Sequence, residues 1–323
     1  MNLRQLKTFV AIGETGGFAR AEGQLLVTQS AASRQILALE AELGIPLFDR
    51  IGRRIKLTSE GEDLLRRGRR VLNEVGSFIE RARVLKSGEG GTLRVGGSTQ
   101  HIENLLADFV PRYRREHPSV EIDLIEDGGA RVPERLERGD VHLGLITTED
   151  EAFGQRLLAP VYVMAIVSAK HRYARKKVLD ITQLAEEPLL LLRRHYGSRG
   201  WFDNACHMAR IKPRVILESA APHTLLALAR SGDNIAIVPS NVHIPSDSVR
   251  ALPLVHRGAA IGRWCFIAWH KGRYLAPYAE QFMDELVDYS RKNYPGLHLV
   301  RHAPPLPRPK ETGTKGGRSG QRS

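Results

Sequence analysis

The chain has 323 residues, enough for two or three domains with separate cores, and its composition, 42% hydrophobic and 26% charged, is typical of globular proteins. No apolar run approaches the roughly eighteen residues of a membrane span, and the N-terminus lacks the apolar core of a signal peptide. We therefore expect a cytoplasmic protein with no membrane partner. The net charge of +12 is concentrated at the ends, because residues 1–87 and 301–323 carry +5 each and the residues between them carry +2. This distribution favours a DNA-binding head on a nearly neutral body.

Residues 18–37, approximately, predict a helix-turn-helix, braced by an earlier helix near residues 3–13. The first helix of the pair has an apolar stripe at Phe18, Ala21 and Leu25. The second helix begins after Thr28, whose hydroxyl can cap it. Apolar residues at three- and four-residue steps predict its buried face, namely Ala32, Ile36, Leu39 and Leu43. The other face presents the side chains that we expect to contact DNA, namely Thr28, Gln29, Ser30, Ser33, Arg34 and Gln35.

Three short motifs carry a resemblance to a known family. They read VTQSAASRQI at 27–36, ELGIPLFDR at 42–50 and LTSEGE at 57–62. This pattern resembles the amino-terminal signature of the LysR-type transcriptional regulators. Glu22 and Gly23 depart from it, since the family usually has alanine and a longer polar residue there. Glycine inside a helix costs about 1 kcal/mol relative to alanine.

A basic hairpin follows the helix-turn-helix and completes a winged domain over residues 1–58. Arg50, Arg53 and Arg54, with Lys56 nearby, concentrate positive charge on this wing, as a contact to the DNA backbone or minor groove requires. A solvated hairpin with no ligand is the alternative. Its position directly after a helix-turn-helix favours the DNA contact.

The residues from 59 to 87 predict one long helix that links the head to the rest of the chain. A seam recurs at alternating steps of three and four residues, which is a heptad pattern. Its positions are Gly61, Leu64, Gly68, Val71, Val75, Phe78, Ala82 and Leu85. Such a seam predicts a homodimer, although it could instead pack on the chain's own body. The family resemblance implies a homotetramer made of two dimers.

A glycine-rich hinge at 88–91 separates this helix from a long α/β region. From 92 to 300, strands alternate with helices and predict a parallel sheet with helices on both faces. The pattern resembles the effector domain of LysR-type regulators, which has the build of a periplasmic binding protein. We predict lobe 1 at about 92–161 plus 267–295 and lobe 2 at about 162–266, in an α+β multidomain chain. The basic tail 301–323 is predicted to be disordered.

The carboxyl ends of the predicted strands indicate where a small molecule binds, because ligands of open α/β sheets lie there. Three segments qualify, and their polar residues are Ser98, Thr99, Gln100, Arg194, His195, Tyr196, His223 and Thr224. The resemblance places the first of these segments in the family's effector cleft. Cationic and hydrogen-donating groups predominate, so we expect a small anionic effector, most simply a carboxylate. Plain helix capping by serine and threonine is the alternative.

The rival function is an α/β enzyme, or a solute-binding module, with an accessory DNA-binding head. The chain has no Gly-x-Gly-x-x-Gly spacing and no Gly-Lys-Ser/Thr loop, and its twelve histidines are scattered. Two cysteines, Cys206 and Cys265, are too few for a metal cage or a disulfide framework. We therefore predict no catalytic residue, no metal and no cofactor. A DNA-packaging protein would not need some two hundred neutral α/β residues. A regulator that binds double-stranded DNA under the control of an effector fits the sequence best.

Overall fold

Three helices and a two-stranded wing form the N-terminal head of the computed structural model, which describes residues 1–25, 27–51, 54–87, 90–129, 131–245 and 247–309. The elements of the head are α1 (Leu3–Thr15), α2 (Phe18–Leu25), α3 (Gln29–Leu43), β1 (Phe48–Ile51) and β2 (Arg54–Leu57). As predicted, Thr28 caps α3: its hydroxyl accepts from the N–H of Ala31 at 3.3 Å. Gly44 ends α3 with a φ of +72°, a conformation that favours glycine.

A small apolar core holds the head together. Its buried members include Phe9, Ile12, Ala32, Ile36, Leu39 and Leu47. The Glu40 carboxylate accepts from the N–H groups of Leu47 at 2.7 Å and Phe48 at 3.1 Å, which fixes the start of the wing to α3. Leu43, predicted on the buried face, is instead exposed, because it lies in the last turn of α3, beyond the core.

The long helix α4 (Ser59–Ser87) packs its first turns against its own head. Gly61 and Gly68 are buried there. A Cβ on Gly61 would lie 2.1 Å from the carbonyl oxygen of Leu47, and a Cβ on Gly68 would lie 3.1 Å from Leu6 Cδ1. These two seam positions therefore serve intrachain packing and not a dimer, because only glycine allows α4 to approach so closely.

Further along α4, the seam faces solvent. Val71, Phe78 and Ile79 are exposed, and Phe78 is the most exposed of them at 76%. Ala82 is also exposed and Val75 is half-buried, whereas the side chain of Leu85 lies outside the described residues. Within the described part of the chain, no helix is long and apolar enough to cross a membrane.

Lobe 1 contains a mixed sheet in which β4, β3 and β5 are parallel and β13 and β6 are antiparallel neighbours. The prediction of a parallel sheet is therefore wrong for β6 and β13, because β6 runs from lobe 1 into lobe 2 and β13 returns from lobe 2. Its strands and helices are β3 (Gly91–Gly97), α5 (Thr99–His101), a π-helical turn (Ile102–Leu106), α6 (Ala107–Glu116), β4 (Val120–Glu126), α7 (Val132–Arg138), β5 (Leu143–Ile146), part of β6 (Phe153–Ser168), β13 (Gly262–His270) and α10 (Pro277–Asn293).

The strand β6 belongs to both lobes. Its residues 153–162 pair with β13, and its residues 163–168 pair with the strands of lobe 2. The first crossover therefore lies near 162, close to the predicted position. The return crossover lies near 261 instead of 266, because β13 already pairs with β6 from Gly262 onward.

Lobe 2 contains a sheet whose central strands, at residues 188–192 and 235–239, are buried on both faces. Its remaining elements are β7 (Leu179–Asp180), a 3-10 turn (Ile181–Leu184), β8 (Pro188–Leu192), α8 (Gly197–Met208), β9 (Arg214–Ser219), α9 (Pro222–Arg230), β10 (Ile235–Pro239), β11 (Val249–His256) and β12 (Ala259–Ala260). Alternate residues of β8 face opposite cores, so that Leu189 packs with Phe202 of α8 and Leu190 packs with Leu225 of α9.

The predicted hinge at 88–91 is only partly described. Gly88 and Glu89 lie outside the described residues. Gly91 pairs with Val120 and begins β3, and a Cβ on Gly90 would lie 2.7 Å from the carbonyl oxygen of Ser119. The second half of the predicted hinge is therefore already part of lobe 1.

The C-terminal segment does not follow the prediction of disorder from residue 301. Residues 301–309 pack along lobe 2, where Leu306 is buried in the core that contains Tyr162. The indole N–H of Trp264 donates to the carbonyl oxygen of Pro307 at 2.8 Å. The buried side chain of Leu306 and the carbonyl oxygen of Pro307 thus hold this proline-rich segment on lobe 2, although its composition predicts disorder. Residues 310–323 of the predicted tail lie outside the described residues.

Candidate DNA interface and effector cleft

The outer face of α3 presents a compact set of polar side chains. Gln29, Ser30 and Arg34 are exposed, and Ser33 is half-buried beside them. Thr28 is exposed as well, and its hydroxyl oxygen lies 3.1 Å from that of Ser30. This face carries one guanidinium, one free amide and hydroxyl groups, which are the groups that recognise base edges in a major groove.

Gln35 differs from the other predicted contacts because its partner lies on another helix. The hydroxyl of the buried Thr8 donates to its Oε1 at 2.6 Å, which joins α3 to α1. We therefore assign Gln35 to positioning the helix on its support. This hydrogen bond could not be predicted from the local sequence, because Thr8 lies 27 positions before Gln35.

The wing is a short antiparallel hairpin in which Asp49 is opposite Lys56 and Arg50 is opposite Ile55. Lys56 is exposed. Arg53 and the side chains of Arg50 and Arg54 lie outside the described residues. The strand pairing places Ile51 opposite the backbone of Arg54, so the described ends of β1 and β2 lie together.

One wall of the cleft between the lobes is built at the end of β3. Ser98 is nearly buried, and its hydroxyl oxygen lies 3.0 Å from Nδ1 of His101. The hydroxyl of Thr99 donates to the carboxylate of Glu126. Gln100 is buried, and its Nε2 has no hydrogen-bond partner among the described residues. An amide donor without a partner is costly to bury, so a ligand with an acceptor atom at this position would supply the missing hydrogen bond.

The other wall comes from lobe 2. The hydroxyl of Tyr196 donates to the carbonyl oxygen of Ala220 at 2.6 Å and also lies beside the hydroxyl of Thr99. The ring of His195 packs on that of Tyr196 at 4.4 Å between centroids. Nε2 of His223 is 3.8 Å from a carboxylate oxygen of Glu103, across the cleft. The structure therefore brings Thr99 and Tyr196 together and places His223 beside Glu103 of lobe 1.

Two predicted cleft residues lie at the margin. Arg194 and Thr224 are both exposed. Arg194 and its neighbour Arg193 help to lower the pKa of the Glu218 carboxyl, although the main cause is the hydrogen bond from Arg199. The charge of Arg194 therefore acts on the end of β9.

The cleft also contains acidic groups that the sequence analysis did not anticipate. Glu103 and Glu126 both face Tyr196, and their charges add to the effect of burial in raising the pKa of its hydroxyl. The expectation that cationic and hydrogen-donating groups predominate in this cleft therefore overlooked two carboxylates. Glu126 ends β4, so the rule about strand ends that selected Ser98 could have found it.

Behind the cleft wall lies a buried polar network centred on His101. Its Nε2 is 2.8 Å from the hydroxyl of Tyr294 and 3.4 Å from the sulfur of Cys265. Burial lowers the pKa of His101 to about 4, so the ring is neutral at physiological pH. Burial raises the pKa of the Cys265 thiol to about 12, so this cysteine is not a reactive thiolate. The network joins the cleft residue Ser98 to the segment after α10.

One cluster among the described residues has the composition of a metal site. Ligand atoms of Glu116, His117 and Glu285 lie within 4.8 Å of one another on the outside of lobe 1. Nε2 of His117 already lies 2.7 Å from a Glu285 oxygen, so the ring and that carboxylate bind each other. This pairing explains the cluster without an ion.

Comparison with known families gives the chain its context. Residues 3–62 match the family described as "Bacterial regulatory helix-turn-helix protein, lysR family", and residues 86–291 match the "LysR substrate binding domain". The chain belongs to the LysR family. The resemblance noted in the sequence is therefore confirmed, and so is the predicted fold of an N-terminal helix-turn-helix domain with a C-terminal α/β domain.

Individual relatives agree with this assignment. The HTH-type transcriptional regulator BenM of Acinetobacter baylyi is 31% identical over 251 residues, covering 75% of this chain and 81% of its own. The uncharacterized HTH-type transcriptional regulator YnfL of Escherichia coli is 28% identical over 90% of this chain and 99% of its own. The crystal structure of full-length CbnR with its target DNA has a TM-score of 0.61 at 25% identity, covering 90% of this chain and 100% of that chain.

Membership of the LysR family decides between the two functions considered from the sequence, a transcriptional regulator and an enzyme. This chain is a LysR-type DNA-binding transcriptional regulator with an effector-binding domain. A structure of full-length OxyR from Pseudomonas aeruginosa shares the fold with a TM-score of 0.66 at 22% identity, covering 90% of this chain and 95% of that chain.

Proposed function

We propose that this LysR-family regulator acts in the cytoplasm and reads its operator with α3 and the wing. The observation that carries the proposal is the polar face of α3, where Gln29, Ser30 and Arg34 are exposed on a capped helix. Gln35 and Ile36 hold the opposite face of that helix against the head. Guanidinium and amide groups make bidentate bonds to guanine and adenine edges, so this face suits a major groove.

Arg34→Ala should weaken binding to the operator by about 1–3 kcal/mol and leave binding to random duplex almost unchanged, because a base contact contributes only at the correct sequence. Fluorescence anisotropy with both DNAs at one fixed salt concentration measures the two affinities. The matched control is Arg66→Ala, which removes the same charge from α4, where Arg66 pairs with Asp63 at 3.0 Å. Equal losses on both DNAs would show that Arg34 contacts phosphate only. Unchanged binding to both would rule out α3 as the recognition helix.

The working unit that we propose is a dimer joined along the exposed part of α4. Val71 and Phe78 are seven residues apart and both exposed, and Ala82 continues the same face. A solvent-exposed phenylalanine and valine on one helix form a face that a second copy can cover. Pairing of two α4 helices would place two heads side by side, which suits an operator with two half-sites.

A second surface supports the proposed homotetramer. The strand β9 is an outer edge of the lobe 2 sheet, and it exposes Val215, Ile216 and Leu217. Edge strands with exposed apolar side chains readily pair with another chain. The opposite outer edge, β4, exposes Glu121 and Asp123, whereas β9 begins at the exposed Arg214. Two copies could therefore join one edge to the other with complementary charge.

The effector that we propose for the cleft is a small organic anion, most simply a carboxylate. The unpaired amide of Gln100 supports this proposal, because it can donate to a carboxylate. The hydroxyls of Thr99 and Tyr196 would donate to the effector only on giving up their bonds to Glu126 and to a backbone carbonyl oxygen, respectively. Glu103 and Glu126 add a second requirement for the effector, because two carboxylates favour a molecule with a donor group at its other end. Closure of the lobes on such a molecule would change how the effector domain sits on α4 and hence the spacing of the heads.

A panel of organic acids and their neutral amides tests the charge of the effector. We expect calorimetry on the full-length protein to detect at least one acid with about tenfold tighter binding than its amide, because the amide loses the charge-assisted hydrogen bonds. Thr99→Val should abolish this binding without lowering the melting temperature. Amides that bind as well as the acids would contradict an anionic effector, and undiminished binding to Thr99→Val would place the site outside the cleft.

A further inference from the structure

A cavity of about 130 Å³ lies between α4 and lobe 1, away from the cleft. Asn73 and Gly76 of α4 line one side, and Arg94, His142 and Arg273 line the other. Its lining shares no residue with the cleft between the lobes. The cavity is therefore a separate place in the molecule, built from the linker helix and the effector domain together.

One part of this α4–lobe 1 cavity is apolar. Its apolar lining includes Leu72 of α4 and Val141, Trp269 and Leu275 of lobe 1. Apolar cavities of roughly 150 Å³ in proteins accept a molecule the size of benzene. The cavity thus has room for one compact apolar group, such as a branched alkyl group or an aromatic ring.

The polar part of the cavity offers donors and positive charge. Nδ2 of Asn73 is buried without a hydrogen-bond partner among the described residues. Nε of Arg94 donates to the carbonyl oxygen of Asp140 at 2.9 Å, and Arg273 donates to the carbonyl oxygens of Leu136 and Glu137. Within the described chain, neither guanidinium has a carboxylate at ion-pair distance. The hydrogen bonds that hold both guanidiniums go to backbone carbonyl oxygens.

His142 adds a further donor. Its Nδ1 accepts from the backbone N–H of Arg94 at 3.2 Å. Burial, with the charges of Arg94 and Arg273, lowers the pKa of His142 to about 4, so the ring is neutral. The proton of a neutral ring whose Nδ1 accepts must lie on Nε2. None of the residues that line the cavity is acidic, although Glu74, Glu137 and Asp140 lie near Arg273 outside it.

We propose that this α4–lobe 1 cavity is a second ligand site, which binds a small carboxylate with one compact apolar group. The carboxylate would meet Asn73 and the two guanidiniums, and the apolar group would lie against Leu72 and Trp269. Because the walls come from both elements, a bound molecule stabilises the docked arrangement of α4 and lobe 1. Arg81 already donates to the hydroxyl of Tyr274 at 2.7 Å beside this cavity, so the ligand would reinforce an existing contact.

Gly76 provides the test, because a Cβ there would meet nothing within 4 Å. Gly76→Leu should project into the cavity and fill it, whereas Gly76→Ala should leave most of the volume free. Both changes favour a helix over glycine, so neither should unfold α4. The probes are benzoate and isobutyrate, compared with benzamide and isobutyramide, on the full-length protein. Calorimetry gives the affinity, and quenching of Trp269 fluorescence, identified with Trp269→Phe, reports the location.

We expect at least one of the two acids to bind with a dissociation constant of about 1 mM or tighter. Gly76→Ala should bind equally well, Gly76→Leu should lose at least about tenfold in affinity, and Thr99→Val in the cleft should have no effect. Any of three results would overturn the proposal: no saturable binding of either acid, equal binding of the amides, or full binding to Gly76→Leu. Loss of binding in Thr99→Val would assign the acid to the cleft, which would leave the proposed function intact and contradict the second site.

Discussion

Phe78→Lys should dissociate the protein into smaller species and reduce its affinity for a two-half-site operator by about 100-fold or more. Phe78 is 76% exposed on α4, and Val71 and Ile79 extend the apolar surface around it. In an α4 pair, lysine at residue 78 would place a charge from each helix in an apolar seam, where an unpaired charge is costly to bury. Sedimentation velocity gives the mass, and a titration of labelled operator gives the affinity.

The loss in affinity follows from the link between two heads. A single head binds one half-site, whereas a joined pair gains the high effective concentration of the second head. Phe78→Leu is the matched control, because it keeps an apolar side chain at the same position and should behave as the wild type. If Phe78→Lys keeps the wild-type mass and operator affinity, the dimer contact lies elsewhere, and the exposed edge at Val215 and Ile216 becomes the next surface to test.

Local signals in the sequence predict the head well. Thr28 caps α3 and Gly44 ends it, so the boundaries of this helix depend on residues within a few positions. The apolar steps at Ala32, Ile36 and Leu39 correspond to buried positions for the same reason. Long-range partners are different. The bond from Thr8 to Gln35 required knowledge of how α1 and α3 cross, which no local pattern contains.

The seam on α4 shows what a heptad pattern cannot predict. A heptad pattern indicates that one face of a helix is covered, but it does not identify the covering element. At Gly68 the covering element is the chain's own α1, through Leu6 and Val10, whereas Val71 and Phe78 face solvent. The two glycines were the available clue, because they allow a close approach that a seam of large apolar residues does not need.

In the α/β region, the positions of the strands could be predicted from the sequence, whereas their pairing could not. Strand positions could be predicted from short apolar runs, such as 188–192 and 235–239. The mixed pairing could not, because β6 runs through both lobes and exchanges partners near residue 162. The acidic residues of the cleft were missed in the same way. Glu103 and Glu126 are far apart in sequence and meet Tyr196 only in the folded chain.

Acid should destabilise the effector domain in a manner that depends on His101. The pKa of this buried ring is about 4 in the folded chain, compared with about 6.5 for an ordinary histidine. Below pH 6.5 the unfolded chain therefore binds a proton that the folded chain does not, so stability falls as the pH decreases toward 4. Between pH 7 and pH 5 the loss is about 2 kcal/mol for one such histidine. His142, with a pKa of about 4, contributes in the same direction.

His101→Gln should therefore show a smaller loss of unfolding free energy between pH 7 and pH 5 than the wild type, by about 2 kcal/mol. The variant itself should be less stable at pH 7, because glutamine cannot reproduce both contacts to Ser98 and Tyr294. Urea unfolding followed by tryptophan fluorescence measures this difference, since Trp201, Trp264 and Trp269 all lie in the effector domain.

The matched control is His207→Gln, which removes an exposed histidine from α8 of the same domain. It should keep the pH dependence of the wild type, because it leaves the buried network around His101 unchanged. If His101→Gln also keeps the full dependence, the ring of His101 is accessible to protons in the folded state. The buried network from Ser98 to Tyr294 would then be open to water, and the cleft wall would be less rigid than its hydrogen bonds indicate.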